Sequence, residues 1–186
     1  MQSTTLTNQF LIAMPGLADP NFHHTVTYIC AHNEDGAMGI IINRPLGLML
    51  SEVLEQMEIQ TEDSLIGQTP VYQGGPVQAD RGFVLHQPIQ KWDYSIEICN
   101  EIGIATSRDI LKAIASGKGP ENSFIALGYA GWGAGQLEQE IKDNAWLNSP
   151  ADSSIIFRIP VEQRWEAAAA LAGVDLEKLS NNVGHA

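Results

Sequence analysis

The chain has 186 residues, 44% hydrophobic and 17% charged: enough apolar material for one folded domain, too little charge for a disordered chain. Its 10 Lys and Arg stand against 22 Asp and Glu, a net charge of −12. Such a field repels a nucleic-acid duplex, and no basic run offsets it; the first cation is Arg44, the rest stand singly, and only Arg108 and Lys112 lie a helical turn apart. Direct DNA binding is therefore disfavoured.

Met1 to Asn8 is polar, without the basic region and small-residue cleavage site of a signal peptide. The apolar stretches Phe10–Pro15, Met38–Ile42 and Ala167–Ala172 are too short to span a membrane. Cys30 and Cys99 are far apart and neither has a CxxC partner, so a cytoplasmic protein with two reduced thiols is the expectation.

Phe10–Met14 reads as a buried strand, stopped by Pro15-Gly16 and a second turn at Asp19-Pro20. Thr25–Cys30 and the apolar run Met38–Ile42 flank a turn at Asn33–Gly36, the pattern of a hairpin. Ser51–Met57 opens on an N-cap candidate and puts Val53, Leu54 and Met57 on one helical face. Short strands are expected at Val71–Gln73, Gly82–His86, Ser95–Cys99 and Ile102–Ala105. Thr106–Asp109 resembles a capping box and opens a helix bearing Ile110, Leu111 and Ile114, closed by Gly117. Ser123–Gly128 reads as a strand, followed by a glycine-rich turn and a helix from about Gly135 to Asn144. Ile155–Ile159 reads as one more strand, halted by Pro160. A last helix over Val161–Ala172 aligns Val161, Trp165, Ala168 and Ala172 and ends at Gly173. Strands and helices are mixed without strict alternation, so a simple doubly wound sheet is not indicated.

Four segments carry a resemblance to a known family. They are Phe10–Pro15 with Asp19–Phe22; Gly36–Gly39 leading to Ile42–Pro45; Gly74–Pro76 with Asp80–His86; and Leu127–Glu138 followed by Asn144–Leu147. Together with the closing Gly184–Ala186, they resemble the AlgH/YqgE family in order and over nearly the whole chain. The resemblance implies a single α/β domain of α+β type over residues 1–186, with a mixed, partly barrel-like sheet flanked by helices. It also implies a label of transcriptional regulator, linked to control of alginate production. It carries over no catalytic or ligand-binding residue. One departure is Ala31, where members commonly have Glu before the His of the first turn.

The strongest motif is Gly128–Glu138, a glycine-rich stretch between strand and helix, where backbone N–H groups can cradle phosphate. Its spacing does not fit: Gln136 stands where a dinucleotide fingerprint needs a third Gly, and Glu138 and Glu140 in the first helical turns would repel phosphate. A packed turn with Tyr129 and Trp132 in the core is the plainer reading. Asn43, Arg44, Arg81 and His86 sit beside glycine or proline turns, where two guanidiniums can clamp an anion. Alternatively, each Arg pairs with a neighbour such as Asp80 or bonds the carbonyls that end a strand. Cys30 and His32 share one side of an extended strand, as a metal or nucleophile pair would, but no metal-ligand spacing accompanies them. No GxSxG elbow exists.

Two readings follow. One is a non-enzymatic regulatory or interaction protein that influences transcription indirectly, through a protein partner or a small ligand and without a cofactor. The other is a small-molecule enzyme whose pocket gathers Asn43, Arg44, Arg81, His86, Tyr129 and Trp132; it requires those six side chains to line one concavity.

Overall fold

The computed structural model describes residues 5–176 and 178. Gly184–Ala186 lies outside the described residues. Among the described residues the chain forms ten strands and six α-helices. The strands are β1 (Gln9–Ala13), β2 (Val26–Asn33), β3 (Gly36–Ile41), β4 (Pro45–Met49) and β5 (Pro70–Gln73), then β6 (Val77–Gln87), β7 (Ser95–Glu97), β8 (Gly103–Ala105), β9 (Asn122–Gly133) and β10 (Trp146–Pro150). The helices are α1 (Leu50–Gln56), α2 (Ser64–Gly67), α3 (Arg108–Ala115), α4 (Gln136–Lys142), α5 (Ser153–Phe157) and α6 (Arg164–Leu171).

The strands form one mixed sheet, curled into a half-barrel; eight lie in the order β10-β1-β2-β3-β9-β6-β8-β7, and off this path β5 pairs with β9 and β4 with β5. The β2–β3 hairpin is antiparallel as expected. Strand β9 organises the sheet: its first half pairs with β6 and, in parallel, with β5, and its second half pairs with β3. The expected glycine-rich turn after residue 128 is thus strand. Backbones cross closely at its middle: a Cβ on Gly128 would lie 2.3 Å from the Gly75 oxygen, one on Gly75 2.0 Å from the Tyr129 carbonyl carbon, and one on Gly74 2.3 Å from the Gly128 oxygen. Wedged there, Gly74 donates its N–H to Leu127 and accepts from Ile41.

Side chains alternate across each strand, so the sheet has two apolar faces. Phe10, Ile12, Tyr28, Phe83, Leu85, Phe124 and Ala126 form the largest core, closed by α5 and α6. On the opposite face, Val84 and Ile125 meet Leu50 and Leu54 of α1 and Ile110 and Leu111 of α3. Leu11, Ala13, Ile29 and Trp132 meet Leu137 of α4 in a third cluster. Fully burying one such aliphatic side chain stabilises the fold by about 1.5–3 kcal/mol, which fixes each helix to its face. At Gly128 (φ 79) the alternation of β9 shifts: Tyr129 packs with Phe124 and Ala126, and Trp132 turns to the third cluster.

Ile155–Ile159 is not a strand. Asp152 caps α5 by accepting from the Ser154 N–H at 2.9 Å and its hydroxyl at 2.7 Å, and Ile155 and Ile156 pack into the main core. Capping and burial override the β preference of the isoleucines. Three helix starts also differ: the last helix, expected from Val161, begins as a 3-10 turn over Val161–Gln163 and becomes α6 only at Arg164. Met49, not Ser51, is the N-cap of α1; Ser107, not Thr106, is that of α3, and its hydroxyl donates to Asp109. The helix-ending glycines behave as expected, with φ 79 at Gly117 and 77 at Gly173. Strands β4 and β10, and helix α2, add to the elements expected from sequence.

Candidate functional site

The six residues expected to converge are not gathered in any one of the five principal clefts of the described residues. One shallow groove includes Tyr129 and Trp132; none of the five includes Asn43, Arg44, Arg81 or His86. Each is engaged elsewhere. Asn43 accepts from the Val26 N–H and donates to the His24 carbonyl, both at 2.9 Å, which ties the end of β3 to the start of β2. Arg44 donates to the His23 carbonyl at 3.0 Å. Arg81 donates to Gln78 at 3.2 Å and lies 5.6 Å above the Phe83 ring. It makes no ion pair with Asp80, because adjacent strand residues project to opposite faces. Trp132 and Trp146 both donate their indole N–H to Glu140, at 3.3 and 3.1 Å.

His86 is buried, with Nδ1 3.1 Å from the Pro88 carbonyl and Nε2 without a partner. Burial lowers its pKa, and the Pro88 carbonyl partly opposes that. The Cys30–His32 pair is divided as well. Cys30 is in the main core, where burial pushes its thiol pKa up, far from reactive thiolate. His32 lies past an irregularity in the β2–β3 register and bonds Glu138 through Nε2, while its Nδ1 accepts the Leu6 N–H at 2.9 Å. A histidine accepting at Nδ1 carries its proton on Nε2, so the ring is spent on linking the N-terminal segment to α4. Its carboxylate partner comes from helix α4 rather than from position 31. The hydrogen bond from His32 is the main reason the Glu138 carboxyl lies below its ordinary pKa.

Arg164 was not singled out by sequence, yet it is 6% exposed. It donates to the carbonyls of Ile42 and, at 2.9 Å, Ile159, and its guanidinium lies 5.3 Å from the Tyr72 ring and 5.6 Å from Phe124. Two aromatic faces and two carbonyls thus hold this cation inside the main core. It locks α6 to the end of β3.

What the fold does open is a cleft of about 490 Å³ between α1, β6 and α3. Strand β6 crosses it, with Asp80, Gly82 and Val84 on the cleft side. Ile125 and Leu127 of β9 extend the floor, and Leu111 of α3 with Val53 and Met57 of α1 form the walls. The apolar stripe of α1 is wider than the core beneath it: Leu50 and Leu54 are consumed by packing, and Val53 and Met57 are left half-buried. That breadth was the sequence signal for this site. Glu52 and Asp80 are its ionisable residues, and Thr106 and Ser107 add hydroxyls. Its volume is that of a ligand or side-chain site, and its chemistry is recognition by apolar contact and negative charge.

These features define a mixed α/β domain that carries an apolar, acid-rimmed cleft. The AlgH-like family model matches residues 10–177, and the chain belongs to the AlgH-like family. Similar proteins include the UPF0301 protein of Thioalkalivibrio sulfidiphilus, 60% identical over 99% of this chain and 98% of that one. Another is the UPF0301 protein of Nitrosococcus oceani, 59% identical over 96% of each. The solution structure of AlgH from Pseudomonas aeruginosa is similar with TM-score 0.81 and 53% identity, covering 97% of each chain. The crystal structure of protein DIP2367 from Corynebacterium diphtheriae shares the fold, with TM-score 0.76 at 19% identity over 97% of this chain and 94% of that one. No helix among the described residues is long and apolar enough to cross a membrane.

Proposed function

We propose that this protein is a non-enzymatic regulatory and interaction protein of the cytoplasm, and that its influence on transcription is indirect, through a protein partner. The observation that carries this reading is the α1–β6–α3 cleft, where an apolar floor meets a rim whose charged members are carboxylates. Apolar, partly open surface of this kind recognises protein side chains. The distribution of cations supports the indirect role. Across the five clefts the basic residue present is Lys142, set among Glu34, Glu138 and Gln139. Arg164 is withdrawn into the core.

With Asn43, Arg44 and Trp132 engaged in structural bonds, the observations favour the interaction reading over the enzyme one. The test is fluorescence anisotropy of labelled duplex DNA against the purified protein at physiological ionic strength. The expected result is no saturable binding. A sequence-dependent, salt-sensitive isotherm would contradict the indirect role.

A further inference from the structure

The ionisable side chains of the α1–β6–α3 cleft are both acids, Glu52 and Asp80, and both are exposed. Neither has a Lys or Arg partner among the described residues, and Glu52 accepts from the Met49 N–H at 2.8 Å. An uncompensated negative rim beside a low-dielectric floor focuses attraction on cations. Elements adjoining α1 also expose apolar side chains: Leu46 and Met49 of β4, which leads into α1, are 41% and 44% exposed, and Leu65 of α2, packed against α1 and α3, is 76% exposed. Met57 in the wall supplies an unbranched, adaptable side chain suited to irregular apolar partners.

We propose that the cleft docks a basic amphipathic segment of a protein partner, and this rests on the interaction reading above. Apolar side chains of the segment seat against Val53, Met57, Leu111 and Leu127. Its Lys or Arg residues lie against Glu52 and Asp80. Both halves of the match are needed: a net charge of −12 attracts any polycation weakly, and the apolar floor selects one that can bury side chains.

The probe is a fluorescein-labelled peptide of roughly 16 Leu and Lys residues, patterned so that the leucines share one helical face. It is titrated at physiological ionic strength into the full chain and three variants. Asp80→Lys is expected to weaken binding about tenfold and Met57→Gln about threefold, consistent with loss of one charged and one apolar contact. Glu34→Lys makes the same change in net charge but lines a different cleft, so it is expected to change affinity by less than about twofold. Equal weakening by Glu34→Lys and Asp80→Lys would overturn the proposal, since attraction would then follow net charge alone. So would an unchanged Kd for Met57→Gln, or no binding to the full chain. A Leu/Glu peptide that binds the cleft in place of the Leu/Lys one would overturn the charge assignment and leave the broader interaction reading standing. Circular dichroism of each variant shows that the fold is kept.

Discussion

Replacing Arg164 with Met tests how the main core is closed. The methionine fills much of the side-chain volume but removes every donor, so the carbonyls of Ile42 and Ile159 lose their partner. Hydrogen bonds from a charged group contribute about 1.5–3 kcal/mol each, and the cation over Tyr72 and Phe124 adds about 0.5–2 kcal/mol. Against this, taking the guanidinium out of the core recovers several kcal/mol of desolvation. Only the two orphaned carbonyls are not recovered, at about 1–3 kcal/mol apiece, so the net loss is about 2–6 kcal/mol. In a domain of this size that lowers Tm by about 4–24 °C. Arg164→Lys, with one compact donor group in place of a fork, should fall between. The assay is urea unfolding followed by circular dichroism at pH 7. An Arg164→Met variant within about 0.5 kcal/mol of the parent would refute the reasoning, for buried carbonyls cannot be abandoned so cheaply.

Three further outcomes are expected. Gly75→Ala places a methyl 2.0 Å from the Tyr129 backbone, so the variant should be recovered as insoluble protein, whereas Gly16→Ala, with nothing within 4 Å, should express and melt like the parent; soluble yield and Tm decide it. His86 has a folded pKa below its unfolded value, so it destabilises the fold as pH falls through about 6.5; His86→Gln should flatten the decline in unfolding free energy between about pH 7 and 5, and a variant with an unaltered slope would count against it. Glu138 has a lowered folded pKa, so its contribution is present above its unfolded value and disappears as pH falls through the folded one. Because it is 43% exposed, Glu138→Gln should cost no more than about 1 kcal/mol at pH 7 and nothing in acid below that folded value, read from paired urea titrations.

Strands whose side chains are buried on both faces were legible in the sequence. Phe10–Ala13 and Ile40–Ile41 are continuous apolar runs because both faces of the sheet are covered, whereas Ile155 and Ile156 show that a short apolar run also suits a buried helix. Strands β4 and β10 were not, because their residues are half-exposed and contain Pro45, Gly47, Asn148 and Pro150, which locally read as turns. Gly128 of β9 misled for a related reason: it serves close approach of another backbone, which only the paired strands reveal. Arg164 was invisible because its burial depends on Tyr72 and Phe124, which are distant in sequence. The candidate cleft was half-legible. Helix α1 announced an apolar face, but the alternation that sets Asp80 on the cleft side and Arg81 on the other depends on where β6 begins, and that start at Val77 lay upstream of the strand read from sequence.

The central claim is that this protein meets its partner through the cleft between α1, β6 and α3. At 20.2 kDa the chain suits amide chemical-shift mapping during titration with the Leu/Lys peptide. The account predicts shifts concentrated at Val53, Met57, Asp80, Ala105 and Leu111, with the His32–Lys142 face unmoved. Shifts centred on His32, Glu138 and Lys142, or spread evenly over the acidic surface, would contradict it.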